Sequence, residues 1–87
     1  MDIEQLRKEI DKIDNSIVDL LERRKKTVKK LASIKRKLNS PIIDEQREKN
    51  VIERLKRLSK EKGLDENFIA CIYEEIIKNS RDEQNNS

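Results

Sequence analysis

One apolar series recurs every seven residues from the start of the chain, as Ile3, Ile10, Ile17, Leu31 and Leu38, and a second runs beside it as Leu6, Ile13, Leu20 and Ile34. A seven-residue apolar repeat marks the core-facing seams of a long helix. The repeat fails at two neighbouring places: Arg24 stands where the first series calls for a hydrophobe, and Thr27 where the second does. A guanidinium turned into a helical core costs on the order of several kcal/mol unless an anion meets it. The double interruption therefore predicts a pocket that binds something negative.

The seams run without a breaker from a capping-box pair, Asp2 and Gln5, to Leu38, which predicts a first helix over about residues 3–38, roughly 54 Å long. That is too long for a compact monomer of 87 residues of which 33% are apolar, so self-association is expected. Asn39, Ser40 and Pro41 end the helix, because they favour turns and Pro41 biases Ser40 away from helix. Asp44 can cap a second helix, about 44–61, with Val51, Ile52, Leu55 and Leu58 as its apolar stripe and Gly63 suited to the left-handed stop that follows. Asp65 can cap a third, about 65–82, whose Ile69, Ile72, Tyr73, Ile76 and Ile77 face the core; residues 83–87 read as a frayed polar tail. With 45% charged residues, no Trp and one each of Gly, Pro, Phe and Tyr, the composition suits helices and is poor for strands. The expected fold is all-α, one domain spanning 1–87, with a long helix and two of medium length.

The formal charge is only +3, yet nine cations from Arg23 to Lys37 crowd a stretch that contains no acid. Such a field favours an anionic partner. A nucleic-acid-binding helical module would use it, although the scarcity of aromatics argues against stacking on single strands. A ligand-free coiled-coil adaptor would want apolar residues at 24 and 27. No apolar run approaches the roughly 20 residues that span a bilayer, the N-terminus lacks the apolar core of a signal peptide, and the lone Cys71, expected to pack as a small hydrophobe, cannot form an internal disulfide. These readings predict a cytoplasmic protein with no membrane partner.

Each helix carries polar residues where its own stripe marks burial. Stepping back from Leu58, Leu55 and Val51 by threes and fours reaches Glu48 and then Asp44, with Arg47 beside them; stepping on from Ile76 and Ile77 reaches Ser80 and then Gln84. Arg24 and Lys35, eleven residues apart, differ by only about 20° around the helix and about 16 Å along it, so both can converge on one ligand. Taken singly, each has a plain structural reading. Asp44 can be only a cap, Glu48 can pair with Arg47 or Lys49, Ser80 can bond back to its own helix, and Gln84 can belong to the tail. Their coincidence is what points to a site. There is no His, no nucleophile paired with a base, no metal-ligand spacing and no Gly-rich phosphate loop, so nucleophilic, metal-dependent and dinucleotide chemistry are not expected, nor is any cofactor. What remains is a set of fixed cations and donors with one or two carboxylates, suited to a small polyanion and to a charge-separated transition state. A unimolecular rearrangement needs no more.

Arg7 near the start, the ERR of Glu22 to Arg24, Lys35 in the IKRK tract, a proline before the D-x-x-R-E of Asp44 to Glu48, and the I-I-x-x-S-x-x-x-Q of Ile76 to Gln84 together resemble the all-helical class of chorismate mutases. The likeness covers nearly the whole chain, and its specificity lies in the order and spacing of motifs that are individually weak. The resemblance implies conversion of chorismate to prephenate by a Claisen-type [3,3] rearrangement, in aromatic amino acid biosynthesis, without cofactor or covalent intermediate. It also implies that Arg7 and Arg24 bind the two substrate carboxylates, assisted by Ser80 and the backbone near Asp44. Lys35 and Gln84 donate to the ether oxygen, Glu48 accepts from the ring hydroxyl, and Arg47 helps to hold the site. Arg7 and Arg24 are seventeen residues apart, about 25 Å along one straight helix, too far to grip one small molecule. Arg7 is therefore expected to reach a site on the other chain of an intertwined homodimer. An isochorismate-pyruvate lyase of the same fold is the nearest alternative, against which Glu48 argues.

Overall fold

A computed structural model of the chain describes residues 2–86. Its three helices are α1 (Ile3–Lys37), α2 (Glu45–Glu61) and α3 (Glu66–Asn86), and among the described residues there is no strand. The caps are the ones the sequence announces. Asp2 and Gln5 form a reciprocal capping box on α1, the Asp44 carboxylate accepts from the Arg47 amide at 3.0 Å at the start of α2, and Asp65 accepts from the amides of Asn67 and Phe68 at the start of α3. Both interhelix turns use one device. Asn39 after α1 and Gly63 after α2 take positive φ, 54° and 73°. The next amide then reaches back to a carbonyl in the last turn, Ser40 to Lys35 at 2.9 Å and Leu64 to Ser59 at 2.8 Å.

α3 extends beyond the expected end near residue 82 and carries Glu83 and Gln84 as helix rather than as frayed tail. Tertiary contacts account for the difference. Glu83 lies 3.3 Å from Lys25 and 3.6 Å from Lys29 of α1, and Arg36 donates to the Gln84 carbonyl, a C-terminal helix acceptor that would otherwise depend on water. Ser87 lies outside the described residues.

α3 packs along α2 and against the C-terminal half of α1, while the backbones of α1 and α2 stay apart. The small shared core centres on Ala32 and Ile77, with Val28, Val51, Leu55 and Ile76 half-buried around it. The N-terminal half of α1 projects clear, so its seam residues Ile3, Ile10, Ile13, Ile17 and Leu20 are each half or more exposed within the chain. Cys71, expected to pack, is also exposed. The radius of gyration is 16.1 Å, against about 12 Å for a compact chain of this length. The accessible surface is 7280 Å², about 1,900 Å² above the roughly 5,400 Å² of a compact 10.4 kDa monomer. The exposed apolar face of α1 contributes to that excess. Among the described residues no helix is long and apolar enough to cross a membrane.

A Cβ at Gly63 would meet open space, so only the left-handed backbone penalises a substitution there. Gly63→Ala should lower stability by about 1 kcal/mol in urea titration, with an unchanged slope. An unaltered midpoint would mean that the α2–α3 turn does not need its left-handed residue.

Candidate active site

Because α3 holds both other helices while α1 and α2 remain separated, a cleft opens between the latter two with α3 as its floor. It measures about 220 Å³. Arg24, Thr27 and Lys35 line it from α1, Asp44, Arg47 and Glu48 from the first turn of α2, and Ser80 and Gln84 from α3. Seven of the eight site residues expected from sequence thus meet in one place. The eighth, Arg7, lies on the projecting half of α1, exposed and paired with Glu4 at 3.1 Å.

The interrupted seam is where the cleft begins. Arg24 is half-buried and its guanidinium donates to the Ser80 hydroxyl, which in turn donates to the Ile76 carbonyl of its own helix at 2.9 Å. Ser80 is 8% exposed, so this is a buried hydroxyl whose donor and acceptor functions are both used. Thr27 bonds back to the Arg23 carbonyl at 2.9 Å, which turns its hydroxyl into the helix and leaves the position without apolar bulk. Lys35 donates to the Ile42 carbonyl at 2.9 Å, tying α1 to the segment that leads into α2. An ammonium carries three donors, so two remain for a ligand. Gln84 is 9% exposed, and its amide nitrogen lies 3.4 Å from the Ser80 carbonyl.

Glu48 pairs with neither Arg47 nor Lys49. Arg81 of α3 takes its carboxylate in a forked contact, with Nε 2.9 Å from Oε2 and 3.2 Å from Oε1, and Nη2 also donating to Oε1. The hydrogen bond to Glu48, more than the opposing partial burial, pushes the Arg81 guanidinium above its ordinary pKa; the charges of Glu48 and Glu45 add to the rise. Sequence reasoning misses Arg81 and Arg36. Arg81 follows Ile77 by one helical turn, but its pairing depends on the lateral register of α3 on α2, which no spacing within one helix reports.

Three cations, Arg24, Lys35 and Arg47, face two carboxylates in the cleft, and Arg81 takes up the charge of one of those carboxylates from outside. The space is thus suited to a small anion. A larger hollow of about 410 Å³ lies on the other side of Arg24 and Ser80, walled by Val18, Leu21, Val28 and Ile76. Glu22, Lys25, Asn79 and Glu83 also line it, but polar groups of all three helices meet only in the smaller cleft. Among the described residues no group of three or more His, Cys, Asp or Glu side chains comes together to hold a metal ion.

The family profile described as Chorismate mutase type II matches residues 6–85, from just before Arg7 to just after Gln84. The chain belongs to the type II chorismate mutase family. It is 39% identical over 77 residues to a chorismate mutase of Methanocaldococcus jannaschii, a match covering 88% of this chain and 78% of that protein. It is 43% identical over 79 residues to a bifunctional chorismate mutase/prephenate dehydratase of Buchnera aphidicola, covering 91% of this chain but 20% of that protein. A 4-amino-4-deoxychorismate mutase of Streptomyces venezuelae is 30% identical over 76 residues, covering 87% of this chain and 74% of that protein.

Gln84 owes its place to the anchoring of the last turn of α3. Arg36→Ala should therefore raise amide hydrogen exchange across residues 82–86 while exchange in α2 stays unchanged. Unaltered protection of those amides would show that the Arg36 contact does not hold the helix end.

Proposed function

We propose that this chain catalyses the chorismate mutase reaction, an isomerisation of chorismate to prephenate, in the cleft between α1 and α2. The observation that carries the reading is the convergence of Arg24, Lys35, Arg47, Ser80 and Gln84 with Glu48 around one space of small-molecule size. Arg24, steadied by Ser80, binds one substrate carboxylate. Lys35 and Gln84 donate to the ether oxygen, which gains negative charge as its bond to the ring breaks. Donors fixed where charge develops contribute about 2.7 to 4 kcal/mol each to lowering a barrier. Glu48 accepts from the ring hydroxyl, and Arg47 and the first turn of α2 by Asp44 complete the anion site. Holding a flexible substrate in its folded reactive shape adds an orientation effect. Purified protein incubated with chorismate should deplete it and yield prephenate; no turnover, or release of pyruvate from isochorismate instead, would overturn the reading. Lys35→Ala should lower turnover far more than it weakens substrate binding, because the charge it meets develops in the transition state.

The active unit is a homodimer in which two α1 helices pair antiparallel. The exposed α1 seam and the surface excess of about 1,900 Å² per chain match what an obligate interface buries. In such a pairing Arg7 of the partner subunit supplies the second carboxylate-binding cation. Its distance from the chain's own cleft supports this, since α1 is one continuous helix between residues 7 and 24. Arg7→Ala and Arg24→Ala should each lose most activity with helix content retained. Mixing the two variants under subunit exchange should restore about a quarter of the wild-type rate, since half the dimers are mixed and each mixed dimer has one intact shared site. A mixture as inactive as its parts would refute the shared site, and light scattering that finds an active monomer would refute the dimer.

A further inference from the structure

Glu48 stands on a wall between two spaces. On one side is the cleft; on the other is a shallow depression of α2 and α3 surface lined by Glu45, Lys49, Glu74, Lys78 and Arg81. Arg81 approaches from that outer side and engages both carboxylate oxygens. The Glu48 side chain is 18% exposed and that of Arg81 38%, so the pair sits at the rim and is partly shielded. A carboxylate offers about four lone-pair sites, and a guanidinium fork on one edge leaves each oxygen able to accept again. The fork is planar and rigid, so it fixes the plane of the carboxylate in a way that a single ammonium cannot. Lysines also line the same two spaces, Lys35 on the cleft side and Lys49 and Lys78 on the outer side, and none of them offers a planar fork.

We propose that Arg81 is a positioning residue that presents the Glu48 carboxylate to the cleft as the acceptor for the ring hydroxyl of the substrate. This rests on the role given to Glu48 above. Arg81 touches no reacting atom; it acts by narrowing the orientations of the one carboxylate that reads the hydroxyl. The hydroxyl is present in ground state and transition state alike, so a badly held acceptor weakens substrate binding more than it slows the bound substrate. A salt bridge that merely joined α3 to α2 would contribute to folding and leave the kinetics of folded protein untouched.

The test is a double-mutant cycle on the full chain, with chorismate as substrate and with circular dichroism and light scattering confirming fold and assembly. Arg81→Met should raise KM about tenfold with kcat within about twofold, and Arg81→Lys, which keeps the charge and loses the fork, should fall between it and wild type. Added to Glu48→Gln, Arg81→Met should change kcat/KM by less than about twofold, because its route to the substrate is already cut. Equal losses in both backgrounds, or Arg81→Met kinetics matching wild type, would overturn the assignment. Glu48→Gln with wild-type kinetics would instead overturn the role of Glu48 itself. Should the Met variant fail to fold, Arg81→Gln takes its place in the same cycle, with the same outcomes deciding.

Discussion

α1 is about 52 Å long, and the helices that follow it are about 26 Å and 32 Å. Folded back on themselves as an α2–α3 hairpin, they can cover only part of it. The chain places that cover over the C-terminal half of α1 and leaves the N-terminal half bare. Three consequences share this origin. The apolar seam near the N-terminus has no partner within the chain, the core is reduced to a few side chains around Ala32 and Ile77, and the polar interruptions at 24 and 27 fall where cover begins. An isolated chain with so few buried apolar groups has little to set against the entropy of ordering 87 residues, so the proposed pairing of the exposed seams would belong to folding as much as to assembly.

α3 is the element on which the site is built. It packs on both α1 and α2, whose backbones stay apart, and it supplies a partner to a charged residue on each. Ser80 meets Arg24, Arg81 meets Glu48, and the turn beyond meets Arg36, Lys25 and Lys29. The ion pairs of Glu83, whose carboxylate is part-buried while its lysines are about half exposed, are each worth about 1 kcal/mol. The part-buried Arg24–Ser80 contact is larger in consequence, because a guanidinium without an acceptor there would bear a desolvation cost.

Much of this was legible in the sequence, and what was not has a common cause. The helix starts, the capping carboxylates, the turn after α1 and the left-handed residue at Gly63 follow from local chemistry at Asp2, Asn39, Asp44, Gly63 and Asp65, where the competing conformations differ within a few residues. The inward polar set followed from periodicity, because a helix face can be counted. Arg81, the continuation of α3 through Glu83 and Gln84, and the exposure of Cys71 depend on how far one helix slides along another. That offset is set by packing between segments distant in sequence, and nothing in the spacing within a segment records it. The polar composition of the last turn argued for fraying; Arg36 and Glu83 reverse that balance only once α1 lies alongside.

Arg24 and Ser80 form a partition common to the polar cleft and to the apolar hollow beside it. Whatever seats against the hollow would meet the same guanidinium that the proposed ligand engages in the cleft. Any coupling between the two sides would be reciprocal, each occupant changing the affinity for the other by the same factor. In the proposed dimer, ligand affinity and subunit association would then be two readings of one linked equilibrium.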